Sequence, residues 1–146
     1  MGALRRLDNV AIVVDDLEAA TAFFGALGLE PEGEATVEGR DVDRLVGLAG
    51  VRSDIVMMRT PDGHGRVELT RYHSPETRPG EGHAPANTLG AHRLMFAVDD
   101  LDAVLERLRP HGAELLGEVV RYADSYRLCY LRGPAGILLA LAERLG

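Results

Sequence analysis

At 146 residues the chain is long enough for one domain with a sizeable buried core. A net charge of −7 argues against a nucleic-acid backbone as partner. The longest apolar run near the end, Ile137 to Ala142, is far too short to span a bilayer, so neither nucleic acid nor membrane is expected as a partner. The opening residues Met1 to Arg6 are followed by Asp8 and Asn9 rather than an apolar stretch. No secretory signal is therefore expected, and a cytoplasmic location is. The single cysteine, Cys129, excludes an intrachain disulfide framework and, lying in an apolar strand pattern, reads as a small buried hydrophobe.

In chain order, residues 7–14 form a nearly continuous apolar stretch with strand character. Asp15 or Asp16 then supplies a cap, because a short acidic side chain accepts the free N–H groups of a first helical turn. Leu17, Ala20, Phe24 and Leu27 fall on one face of the helix that follows, and Gly28 suits its end. Three strand-like stretches come next, near 33–47, 51–59 and 65–72, the last two separated by the turn Pro61-Asp62-Gly63. Residues 73–90, rich in Pro and Gly, read as a linker or mobile loop. A strand at 92–98 leads to a cap at Asp99 or Asp100 and a helix carrying Leu101, Val104, Leu105 and Leu108. Pro110 and Gly112 stop that helix. Three further strands are expected near 114–121, 125–132 and 136–142, with Gly133-Pro134 turning between the last pair.

This order is a duplication. Asp15-Asp16-Leu17 recurs as Asp99-Asp100-Leu101 at an offset of 84, and Gly28 and Glu30 recur as Gly112 and Glu114. Thr60-Pro61-Asp62-Gly63 is echoed by Gly133-Pro134-Ala135-Gly136 at an offset of 73, so the first copy is longer by 11 residues. The expected fold is α+β: two tandem β-α-β-β-β modules, at about 5–72 and 91–143, joined by the 73–90 segment. Internal repeats of this kind fix an architecture before any single residue does.

The phrases Val10-Ala11-Ile12-Val13-Val14-Asp15-Asp16-Leu17, Phe96-Ala97-Val98-Asp99-Asp100-Leu101 and Pro61-Asp62-Gly63, duplicated and in order, resemble the vicinal oxygen chelate superfamily. It is also called the glyoxalase/bleomycin-resistance/dioxygenase superfamily. The resemblance implies a half-open barrel around a central cavity, a single domain over nearly the whole chain, and a homodimer. It implies a divalent metal held by residues at the start of the first strand and the middle of the last strand of each module, usually His and Glu. On this chain those positions fall on Asn9, Glu68, Arg93 and Ala140. Only Glu68 is a good ligand; Asn9 is a weak one, Ala140 is none, and Arg93 is a permanent cation. The family's metal site therefore reads as dismantled, and no cofactor is favoured. A divalent metal remains the alternative, held by Glu68, Asn9 and a re-aimed His92. His92 adjoins Arg93 and faces the other way in a regular strand, so that alternative requires a bulge.

Glu68 and Arg93 are the catalytic candidates. Arg93 either pairs with Glu68 as a structural ion pair or keeps a donor for an anionic ligand. Tyr126, Leu128 and Tyr130 share one strand face, with Arg127 and Cys129 on the other. That face either lines a pocket for an organic ligand or packs against a helix. Asn9, Met57, Tyr126 and Tyr130 are the ligand-binding candidates. Of the remaining histidines, His64 reads as a turn residue and His111 as a helix-end residue, while His73 and His83 are placed to fold over a cavity. Three functional readings follow: a metal-free binder of a small organic or anionic molecule, similar to the drug-sequestering resistance proteins; a metal-dependent lyase, isomerase, epimerase or extradiol-type dioxygenase; and a non-catalytic dimeric module.

Overall fold

The computed structural model describes residues 2–146. The chain divides into two compact units, one ending at Arg78 and the other running from Pro79 to Gly146. Each contains an open sheet with helical cover on one face, so the fold is α+β and, among the described residues, neither sheet closes into a barrel.

In the first unit the order is β1 (Val10–Val13), α1 (Leu17–Leu27), β2 (Glu30–Glu38), α2 (Arg40–Val46), β3 (Arg52–Arg59) and β4 (Arg66–Ser74). The strands lie in the order β1-β4-β3-β2, with β1 parallel to β4 and the other pairs antiparallel. Asp16 is the cap of α1: its carboxylate accepts the Ala19 N–H at 2.9 Å. Ala20, Phe23, Phe24 and Leu27 are buried, together with Ile12, Val56, Met58, Val67 and Leu69 of the sheet. Gly28 ends the helix at φ 125°, donating back to Gly25 and Phe24, a conformation that a side chain would strain.

One expected strand is corrected here. The stretch 33–47 stops being a strand at Glu38, and Arg40–Val46 is helical. Glycines at 39 and 47, both with positive φ, bound this short helix. Asp43 fixes the chain beyond it, accepting the Gly50 and Val51 N–H groups at 3.0 and 2.7 Å.

In the second unit the order is β5 (Arg93–Val98), α3 (Leu101–Leu108), a 3₁₀ turn at Arg109–His111, β6 (Glu114–Leu115), β7 (Val120–Tyr122), β8 (Tyr126–Arg132), a second 3₁₀ turn at Pro134–Gly136, and β9 (Leu138–Arg144). The strands run β5-β9-β8-β6, with β7 also pairing β8. Asp100 caps α3 as Asp16 caps α1, here at 3.1 Å from the Ala103 N–H. Leu101, Val104, Leu105 and Leu108 are all buried. The expected strand at 114–121 is a second correction: it is two short pieces, exposed along their length. As expected, α3 ends just before Pro110: its last residue is Leu108, and the 3₁₀ turn that holds Pro110 closes at Gly112 in the left-handed region.

The two sheets share one strand pattern, with the two short strands β6 and β7 in the second where the first has β2. Ala11 lies opposite Glu68, and Glu68 opposite Met57. Met95 lies opposite Ala140, and Ala140 opposite Tyr130. This register makes Ala140 the counterpart of Glu68, and Tyr130 the counterpart of Met57.

Candidate ligand-binding site

Which face of each sheet is available follows from where its helix lies. In the second unit, Arg127 of β8 makes a two-pronged bond to Asp102 of α3, at 2.9 and 3.0 Å. Glu143 of β9 accepts the Leu101 N–H at the start of the same helix, at 2.7 Å. The face holding Arg127, Cys129 and Glu143 is therefore the helix face. Alternation then puts Tyr126, Leu128 and Tyr130 on the opposite face, so these tyrosines do not pack against α3. Arg93, Met95 and Ala140 share their face by register.

On that face the Arg93 guanidinium lies over the Tyr130 ring, 4.4 Å from its centroid. A cation so placed is held by the negative face of the aromatic system. Ala140, completely buried, occupies the intervening strand with a methyl group where the first sheet has a carboxylate. Among the described residues of its own unit, Arg93 forms no ion pair. Its residue is exposed, so its donors are open to a ligand. Met95 beside it is 55% exposed and Tyr126 is 40% exposed, giving the face an apolar component.

In the first unit Glu68 lies on the face away from α1, since its neighbours Val67 and Leu69 are the ones buried under that helix. It is half-buried, and the Thr70 hydroxyl donates to its Oε2 at 3.2 Å. Met57 is its cross-strand neighbour. Asn9, half-buried, immediately precedes β1. Sequence reasoning passed over Thr70, although its place two residues from Glu68 puts the two side chains on one strand face.

The donor set does not fit a divalent cation held in the family manner. Taken unit by unit, the first offers the Glu68 carboxylate and the Asn9 amide, and the second, at the equivalent positions, the Ala140 methyl and the Arg93 guanidinium; the register makes Ala140 the counterpart of Glu68. Among the described residues no group of three or more His, Cys, Asp and Glu side chains is placed to hold a metal ion. His92 is exposed and precedes β5, whose pairing with β9 runs from Arg93 to Val98 without a bulge.

Other titratable groups are accounted for locally. His73 is in β4, not in a loop, and its Nε2 meets the Asp54 carboxylate at 2.7 Å, while Thr36 donates to the other oxygen at 2.7 Å. The bonds from His73 and then Thr36 hold Asp54 below the usual carboxylate range. Asp54 and Arg127 are each bonded within their own unit. Burial pushes the Cys129 thiol up, which makes it inert as a nucleophile at neutral pH. His64 is an exposed turn residue whose N–H is accepted by Asp62 at 3.0 Å. A cleft of about 880 Å³ opens beside α1, lined by acidic side chains including Asp15, Glu18 and Glu34, with Arg71; none of the predicted site residues lines it.

The model of the Glyoxalase/Bleomycin resistance protein/Dioxygenase superfamily matches residues 6–141. A glyoxalase family protein from Bacillus cereus, of known crystal structure, is 52% identical. The match covers 99% of this chain and 97% of that one with a TM-score of 0.94. The uncharacterized protein YaeR of Escherichia coli is 28% identical over 99% of this chain and 100% of its own length. A glyoxalase/dioxygenase from Nostoc punctiforme, 22% identical over 99% of this chain and 94% of its own, has a TM-score of 0.66 and shares the fold.

Proposed function

We propose a function from the premise that this chain belongs to the glyoxalase/bleomycin resistance protein/dioxygenase superfamily: it is a cytoplasmic protein that binds a small organic anion through Arg93, with no resident divalent metal. The observation that supports this most is the Arg93–Tyr130 stack at 4.4 Å. The superfamily's metal supplies positive charge to substrate oxygens. Here a guanidinium stands at one ligand position and a methyl at another, so the positive charge is retained while the chelating set is lost. A guanidinium recognises planar carboxylate oxygens through paired N–H donors, which makes a carboxylate or enolate the fitting ligand class. Tyr126, Leu128 and Met95 offer its carbon skeleton an apolar surface.

The test is calorimetric titration of chelator-treated protein with oxalate, whose adjacent oxygens mimic such a ligand, alongside elemental analysis of the untreated protein. Binding is expected to survive chelation. Arg93→Ala is expected to weaken it by about tenfold or more, the loss of hydrogen bonds to a charged group. Stoichiometric metal in the purified protein, with oxalate binding that depends on it, would overturn the proposal.

A further inference from the structure

The segment between Pro79 and β5 is tied to the second sheet by Arg132, the last residue of β8. Its Nη1 donates to the carbonyls of Gly82 and Gly136, at 3.4 and 3.2 Å, and its Nη2 to the carbonyl of Ala84. Gly136, in the β8–β9 turn, adopts φ +75°. A Cβ at that position would overlap the backbone of Gly82, so the two backbones touch at a point where no other residue fits. A further bond, from the Ala84 N–H to the Glu81 carbonyl at 3.3 Å, closes residues 81–84 into a turn. The residue between the two clamped carbonyls is His83, and it is exposed.

Surface turns are ordinarily among the more mobile parts of a fold. This one is held by a forked cation, a backbone contact and an internal hydrogen bond, and what it presents is an imidazole. Its place on the sheet adds a second observation. Arg93, Leu138 and Arg132 stand opposite one another across β5, β9 and β8. Arg93 and Arg132 are thus two strand spacings apart, about 10 Å, and share the face that carries Tyr130.

We infer that His83 is a second ligand-binding residue of this unit, with Arg132 as the positioning residue that presents it and a small organic anion held by Arg93 as its hydrogen-bonding partner. This rests on the anion-binding reading of Arg93. Arg132, with its donors directed at three carbonyls, is not the anion's partner, and the two arginines divide recognition and positioning between them.

Oxalate titration of the full chain tests this with four variants: His83→Ala, His83→Gln, Arg132→Lys and Arg93→Ala. Hydrogen exchange of residues 79–91 is followed in parallel. His83→Ala is expected to weaken oxalate by about tenfold, the scale of one hydrogen bond to a charged group. His83→Gln, which keeps an N–H donor, restores part of that loss. Arg132→Lys keeps the charge but not the fork. It is expected to speed exchange at residues 82–84 and to weaken oxalate to the His83→Ala level. If binding depends on Arg93 but is unchanged in His83→Ala, the inference about His83 is overturned and the anion-binding reading stands. If Arg132→Lys speeds exchange without altering affinity, the positioning role is overturned. If no binding depends on Arg93, the reading and this inference fall together.

Discussion

Ala140 and Tyr130 decide what Arg93 is able to do. A carboxylate at 140 would lie one strand from Arg93 and draw its guanidinium into an ion pair; a methyl leaves the guanidinium to rest on the Tyr130 ring. Stacking on an aromatic face at an exposed site contributes about 0.5–1 kcal/mol. Tyr130→Leu should therefore lower oxalate affinity by about two- to fivefold, while Tyr130→Phe, which keeps the ring face, should not. Equal losses in both variants would show that the hydroxyl rather than the ring matters. The residue identities behind this argument were legible in the sequence, where the family resemblance puts ligand positions at Arg93 and Ala140. The stack was not legible, because it joins strands 37 residues apart in the chain and depends on register. The same limit hid the bonds of Asp54 to His73 and Thr36 and the carbonyl clamp of Arg132. Each such contact is set by the pairing of distant strands or by loop conformation, not by local pattern.

At the level of elements, the two amphipathic helices could be read directly because three local signals agree: an acidic cap, apolar residues at helical spacing, and a glycine stop. Helix α2 lacks that agreement, since none of its residues is buried. Its signal is the bracketing by Gly39 and Gly47, which also suits a turn. The caps make a stability prediction. Asp100→Ala removes the acceptor of the Ala103 N–H and should destabilise the protein by about 1 kcal/mol, measured as a shift of the urea midpoint. Alpha-3 is also fastened to the sheet by the Asp102–Arg127 fork. The Arg127 guanidinium beside Asp102 holds its carboxyl below the usual carboxylate range. A carboxyl depressed on folding stabilises the native state above its unfolded value, about 3.9 for aspartate. That contribution disappears as the pH falls through the lower folded value. The stability difference between the wild type and Asp102→Asn should therefore be constant near neutrality and close progressively below about pH 4. A difference that persisted undiminished into strong acid would mean that the fork contributes nothing through its charge.

For the whole molecule, the duplication predicts two sheets of one pattern, and the pairing of β1, β4 and β3 in the first sheet is repeated by β5, β9 and β8 in the second, while β2 is matched by the short β6 and β7. Each sheet ends in a strand paired on one side only within its unit: β1 with β4, and β5 with β9. An edge of this kind presents unpaired N–H and C=O groups and invites another chain unless it is covered. Apart from Arg93 at the start of β5, the large exposed side chains of these two strands are apolar, for Val13 on β1 is 48% exposed and Met95 on β5 is 55% exposed. Neither strand carries the lysine, proline or bulge by which free edges are usually protected. We therefore expect a homodimer in solution, the commonest assembly for a self-complementary surface. Sedimentation equilibrium should return twice the chain mass down to micromolar concentrations. Val13→Glu and Met95→Glu, which place a charge on exposed positions of the two edge strands, identify the edge involved: the substitution that lowers the mass towards that of one chain marks it. A single-chain mass for the unmodified protein would rule the dimer out.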